Sequence, residues 1–326
     1  MNRSGFTIIE VTLVLAISMF LFVGVIGGTN VNITRQRYND SVNSFAEFLR
    51  SQYSEVISTE NTRDDRISNT SPCTLTSKQA AGNGSGSNVE TGRSNCLIYG
   101  KLITFNEENN PAKVYSYDII GDAKTSNDLE ALNKAVRKNS SHPYHGISND
   151  TILSLVNLNA DVLTARSTGS GCQIIPAGNT STYELPWGAY IQTTNHPTMQ
   201  NYTGSILIVR SPLSGAINTF RLNSVVSVQS RLRNPYIAAE YCNANSDARV
   251  NAYNNGSLRS FLSATGSNAP SFGNASTGTV AEFCINSDDV FALASNGRRM
   301  VSIAYDGYNA SAVKVYNQDD GENKCQ

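Results

Sequence analysis

An apolar run of 23 residues, Phe6 to Gly28, constrains this chain more than any other feature, because it contains one carboxylate, Glu10. As an α-helix the run reaches about 35 Å at 1.5 Å per residue, enough to cross a bilayer with some tilt. A charged side chain inside a membrane span costs about 3 kcal/mol or more and by default marks a functional site with a partner. A cleaved secretory signal has a shorter apolar core followed by an Ala-x-Ala-like site, and neither condition holds here. An ordinary membrane anchor accounts for the length of the run. It gives no reason for Glu10 or for the Gly5-Phe6 step that precedes the run.

The residues Gly5-Phe6-Thr7-Ile8-Ile9-Glu10-Val11-Thr12-Leu13 are a close match to a known pattern. They resemble the processing site of type IV prepilins: a glycine, then Phe-Thr-Leu-Ile-Glu and an apolar helix. The resemblance implies that a prepilin peptidase cuts between Gly5 and Phe6 and that Phe6 becomes the N-methylated terminus. It also implies that Glu10 neutralises the N-terminal amine of a neighbouring subunit as filaments pack. Electrostatics agrees, since a buried carboxylate is tolerable beside a buried ammonium and costly without one.

Beyond the span, charge is sparse. Charged residues are 16% of the chain and the net charge is −1, against about a quarter charged in a usual globular domain. Asn, Ser, Gly and Thr supply the polarity, so the surface is hydrogen-bonding rather than ionic. That argues against a broad electrostatic grip on nucleic acid. About 270–300 residues remain, enough for one large head or two small ones. Cys73, Cys96, Cys172, Cys242, Cys284 and Cys325 all follow the span. With no Cys-x-x-Cys and no histidine at zinc-ligand spacing, they point to disulfides in an exported head rather than to a metal site. Six cysteines allow fifteen pairings, and sequence does not choose among them. Cys73 with Cys96 is the best local pairing because the two bracket a Gly/Ser-rich loop; free buried thiols are the other reading. One count runs against export. Arg35, Arg37 and Arg50 follow the span and only Arg3 precedes it, which a positive-inside count reads as a cytoplasmic head. The processing motif and the cysteines outweigh it.

The helix is expected to continue past Gly28. Val31, Tyr38, Val42, Phe45, Leu49, Tyr53 and Val56 recur at helical steps, with Arg35, Asp40, Glu47, Arg50 and Glu55 on the other side. Gly27-Gly28 is a place for the helix to bend. Residues 59–95 read as a loop. Paired strands follow at Leu97–Phe105 and Lys113–Ile120, with a turn at Asn109-Asn110-Pro111. Residues 127–138 are a short helix candidate and Ile152–Val156 a strand candidate. Strands return at Gly188–Thr193, Ser205–Arg210 and Ile217–Leu222, and Ser224–Arg233 reads as a helix ending before Pro235. The end of the chain reads as an antiparallel meander of Val280–Asn286, Val290–Ala294, Met300–Tyr305 and Ala312–Tyr316, with Asn296-Gly297 and Asp306-Gly307 turns. The fold expectation is therefore α+β: a long N-terminal helix packed on an antiparallel β-sheet head. This order is similar to the pilin fold, and Cys96–Phe105 with Glu282–Asp289 resembles H/T-type minor pilins and pseudopilins. Under that resemblance residues 1–5 are the leader, 6–28 the transmembrane half, 29–58 the amphipathic half and 59–326 the extracytoplasmic head. Residues 121–150 and 235–277 read as insertions.

Catalysis finds little support. His142, His145 and His196 sit in loops, and no nucleophile or zinc-protease motif occurs. No cofactor is expected. Asp319, Asp320 and Glu322 are a weak calcium candidate, because calcium wants six to eight oxygens and the EF-hand spacing is absent. Arg298 and Arg299 follow Gly297 in partial likeness to a Gly-Arg-x-Arg motif with which some minor pilins contact DNA; Met300 stands where the second arginine belongs. Tyr236, Tyr241, Tyr253 and Tyr308 in polar loops suit an adhesive surface. The leading expectation is a filament subunit stored in the cytoplasmic membrane with its head outside, then carried to the cell surface. Its partners are other pilin subunits and the prepilin peptidase. A DNA-binding minor pilin and an unprocessed membrane-anchored adhesin are the alternatives.

Overall fold

The computed structural model describes residues 7–58, 96–122, 162–168, 171–176, 180–194, 200–210, 217–222, 228, 279–288, 297–304, 309–317 and 319–325. One helix, α1 (Ile8–Ile57), runs unbroken for 50 residues and passes through Gly27-Gly28. Its buried residues begin at Tyr38 and continue through Ser41, Val42, Phe45, Ala46, Leu49, Gln52, Tyr53 and Val56. That is the apolar face expected from the sequence, with Val31 only partly covered.

The strands, in chain order, are β1 (Cys96–Phe105), β2 (Lys113–Asp122), β3 (Leu163–Thr168), β4 (Gly171–Pro176), β5 (Thr180–Glu184) and β6 (Ala189–Gln192). They continue with β7 (Gly204–Arg210), β8 (Ile217–Leu222), β9 (Thr279–Ser287), β10 (Arg299–Ala304) and β11 (Val313–Tyr316). They form two main sheets, β5-β2-β1-β7-β8 and β11-β10-β9-β6, and a separate β3-β4 hairpin. All pairings between strands are antiparallel. The arrangement is α+β, with two sheets where the sequence suggested one.

The second half of α1 packs against both sheets in a shared core. The Phe45 ring meets Phe105 of the first sheet at 6.5 Å and Phe283 of the second at 5.5 Å, edge-on in both cases. Burying each such ring contributes about 1.5–3 kcal/mol. Polar side chains fix the helix on each side. Toward the first sheet, Tyr53 Oη and Thr219 Oγ1 lie 2.7 Å apart, and Ser116 Oγ donates to Gln52 Oε1 at 2.5 Å. Toward the second, Tyr38 Oη donates to the Ile285 carbonyl at 2.8 Å and accepts from the Arg299 N–H at 2.8 Å.

The β1–β2 turn uses Asn106 and Asn109 at positive φ (55° and 58°), a conformation asparagine tolerates better than most residues. A bulge between Ile98 and Gly100 shifts the register of β1 against β2. β3, β4 and β5 carry no clear alternation and were not anticipated. β5 is a sheet edge, mostly exposed along its length, so backbone pairing with β2 rather than an apolar face defines it. The helix candidate 127–138 and the strand candidates Ile152–Val156 and Val290–Ala294 lie outside the described residues, as does all but Val228 of Ser224–Arg233.

Candidate functional site

The first half of α1 is bare. Ile8, Met19, Phe20 and Phe22 are 69–84% exposed, and the most apolar 18-residue window of the helix, with mean hydropathy 2.5, has no residue buried in the protein. The hydroxyls in this segment are satisfied inside it. Thr12 Oγ1 donates to the Ile9 carbonyl, Ser18 Oγ to Val14 and Thr29 Oγ1 to Val25, at 2.8–3.0 Å. Such back-bonding leaves an apolar exterior suited to a hydrocarbon solvent.

Glu10 takes part in the start of the helix. Thr7 is the N-cap. Its N–H donates to Glu10 Oε2 at 3.0 Å, while the Glu10 N–H donates to Thr7 Oγ1 at 3.4 Å, closing a reciprocal capping box. The carboxylate therefore points back along the helix toward its N-terminus, where the macrodipole favours negative charge. Gly5 and Phe6 lie outside the described residues; Phe6 is the residue next to the cap. The signal for Thr7 was present in Thr7-Ile8-Ile9-Glu10, a Ser/Thr-x-x-Glu box before an apolar run.

Of the six cysteines, Cys284 and Cys325 are joined, with Cα atoms 5.5 Å apart, and tie β9 to the C-terminal tail. Cys73, Cys242 and the side chains of Cys96 and Cys172 lie outside the described residues, as do His142, His145, His196, Tyr236, Tyr241, Tyr253 and Tyr308.

Arg298 and Arg299, the candidate DNA contacts, lie at the start of β10. Both are half-buried. Arg299 opens β10 opposite Ile285, and its N–H meets Tyr38 of the helix. Burial pushes the Tyr38 phenol up; the Arg299 N–H and the positive charges of Arg299 and Arg298 pull in the opposite direction. The acidic cluster is occupied by local structure. Asp320 Oδ2 accepts from the Asn317 N–H at 2.5 Å, and Glu322 lies beside the Tyr316 hydroxyl. No group of three or more potential metal ligands forms among the described residues.

A second buried charge set escaped sequence reasoning. Lys101 Nζ, almost enclosed, lies 2.5 Å from Asp118 Oδ1 and 2.6 Å from Glu55 Oε2. Burial opposes the Lys101 charge, but the two carboxylates outweigh it and hold its pKa above the ordinary value. Lys101 and Asp118 face each other across β1 and β2, a juxtaposition set by register rather than by local pattern. Trp187, the only tryptophan, was also passed over; it lies in a Pro-Trp-Gly turn with the Arg37 guanidinium 4.7 Å from its ring centre. The chain matches no protein-family profile, no curated protein and no solved structure.

Proposed function

We propose that this chain is a structural subunit, a minor pilin or pseudopilin, of a type IV pilus-like filament. One observation carries the reading: a single helix whose first half is bare and apolar and whose second half is the buried spine of the head. Such a helix stores the subunit in the cytoplasmic membrane and, after cleavage, offers the same surface to the helices of other subunits. Glu10 supports it further, since its carboxylate reaches the Thr7 N–H, one residue from the amine that a cut after Gly5 would create at Phe6. The disulfide supports an oxidising compartment for the head. The DNA-uptake alternative is weakened because Arg298 and Arg299 are half-buried against the helix rather than projecting.

N-terminal sequencing and intact mass of the membrane-extracted protein test the reading. A mature chain beginning at methylated Phe6 is expected, and Gly5→Val should leave the full-length chain in the membrane. An intact Met1 in the wild-type protein would favour an unprocessed anchored adhesin. Glu10→Val should still insert and be cleaved but enter filaments poorly.

A further inference from the structure

The edge strands of the two main sheets are β5 and β8 in the first and β11 and β6 in the second. Three of them are covered. β8 is buried along most of its length. In β11 the Val313 carbonyl accepts from Arg50 Nη2 of the helix at 3.1 Å. In β6 the Ile191 N–H donates to the Pro111 carbonyl and the Ile191 carbonyl accepts from the Tyr202 N–H, each at 3.1 Å.

β5 differs. Thr180, Ser181, Thr182 and Glu184 are exposed and only Tyr183 is half-buried. Natural edge strands are commonly blunted by lysine, proline or a bulge. β5 contains no lysine or proline, and its register with β2 is unbroken. The charges beside it are balanced by sign: Glu184 stands opposite Lys113, and Arg37 is followed one turn later by Asp40. The strand is also held firmly from within. Tyr183 Oη donates to Ser44 Oγ at 3.0 Å, and its ring stacks on Phe48 of the helix with centroids 4.6 Å apart.

The ladder fixes which groups of β5 face outward. The Leu185 N–H donates to the Ala112 carbonyl at 2.9 Å, one residue outside the opposed pair Lys113 and Glu184. Opposed residues in an antiparallel ladder alternate between exchanging both hydrogen bonds and exchanging none. Tyr183 and Ser181 therefore bond to β2, while Thr180, Thr182 and Glu184 turn their N–H and C=O groups away from it. Among the described residues nothing pairs with these outward groups. Exposed backbone donors and acceptors repeating every two residues suit one kind of ligand, a polypeptide in extended conformation.

An anchor for a partner side chain stands close by. Trp187 lies three residues past Glu184, within about 10 Å along the chain, and its ring is 58% exposed. Its backbone is left-handed (φ 61°), a conformation that persists in a bulky residue only where the surroundings enforce it. Ser41 Oγ of the helix donates to the Pro186 carbonyl at 2.6 Å, and the Arg37 guanidinium covers one side of the ring. A rigid, exposed tryptophan is the side chain that most often dominates a protein interface.

We propose that the outer edge of β5 is a strand-addition site that takes an extended segment of a different subunit, with Trp187 as its side-chain anchor. The inference rests on the filament reading above. A second copy of this chain does not fit. The two-fold axis relating antiparallel edge strands is perpendicular to their sheet, and it would set the two α1 helices, which pack along that sheet, in opposite directions. Subunits stored in one membrane by their N-terminal spans point α1 the same way.

The outward geometry selects the test. Thr182→Pro removes an N–H that β2 does not use and puts the ring on the partner's side, a placement proline tolerates on an edge strand. Thr182→Val keeps the N–H. Filaments sheared from cells producing each full-length variant are assayed for the subunit, and each variant is checked for native thermal unfolding in detergent. Thr182→Pro should enter filaments about tenfold less than wild type, from the lost hydrogen bond and the bulk of the ring. Thr182→Val should enter normally, and Trp187→Ala should also reduce entry. Residue-resolved amide hydrogen exchange of the wild-type chain gives a readout that needs no substitution. The Thr180, Thr182 and Glu184 amides should exchange freely in the detergent-solubilised chain and about tenfold or more slowly in filaments. Normal entry of Thr182→Pro, or amides equally exposed in both states, overturns the site and leaves the filament reading intact. Equal loss in Thr182→Val and Thr182→Pro would assign the contact to the side chain and overturn strand addition. Detergent-stable dimers of the chain lost in Thr182→Pro would assign the edge to a second copy and overturn the proposed partner. A wild-type chain with an intact Met1 that is absent from filaments overturns the filament reading itself.

Discussion

Replacing Cys284 and Cys325 together by alanine removes a cross-link that spans 41 residues of sequence. In the chain-entropy description a closed loop of that length restrains the unfolded state by about 13 cal/mol/K, or about 4 kcal/mol at 25 °C. The native tail should remain docked, because other contacts hold it. Asn323 Nδ2 donates to the Arg298 and Asn317 carbonyls, each at 2.9 Å, and Lys324 pairs with Glu282 at 2.5 Å. Both cysteines are buried beside Met300 and Tyr316, so the truncated sulfurs leave only small voids. The loss is therefore expected in the unfolded ensemble, with the fold preserved. At about 2–4 °C per kcal/mol for a head of this size, the midpoint of thermal unfolding should fall by about 8–16 °C. Near-ultraviolet circular dichroism of the detergent-solubilised chain under non-reducing conditions reads it. A native spectrum with a shift below about 3 °C would refute the reasoning, because the constraint would then be absent from the unfolded chain.

Three further outcomes follow from the same packing. Lys101→Met should cost about 3–5 kcal/mol, because it leaves the buried Asp118 carboxylate facing Glu55 without the ammonium between them; Lys101→Met with Asp118→Leu should recover much of it in denaturant unfolding. Gly100→Ala should destabilise the head by about 1–3 kcal/mol or more, since the added Cβ would fall 1.9 Å from the Ile208 carbonyl oxygen, a backbone atom of β7; a neutral result in the same assay would place β7 elsewhere. Stability should fall as pH rises above about 10. Lys101 and the buried phenols of Tyr53 and Tyr202 all have folded pKa values above their ordinary ones, so the native state retains protons that the unfolded chain releases. Their contribution is complete below the unfolded pKa values and is lost through the folded ones, which a pH series of melting curves would show.

The sequence by itself determined the features that depend on neighbours along the chain. The apolar run set the exposed half of α1, and the steps from Tyr38 to Val56 set its buried face, because helical periodicity is local. The β1–β2 pair was legible for the same reason, two apolar runs on either side of an Asn-Pro turn, and Ile217–Leu222 as a short apolar run of its own. Tertiary structure alone decided what lies far apart in sequence. Cys284 chose Cys325 because β9 and the C-terminal tail meet. β6 joined β9 rather than its chain neighbour β5, and β5 formed a strand through backbone pairing that its polar side chains do not announce. Lys101 met Asp118 through a bulged register, and Trp187 met Arg37 through a left-handed turn fastened to the helix. Arg298 and Arg299 occur in a motif readable in the chain, yet their half-burial against Tyr38 is a property of two elements packed together. Periodicity is written residue by residue, whereas registers and contacts between distant segments exist only when both sides are held in place by the same core.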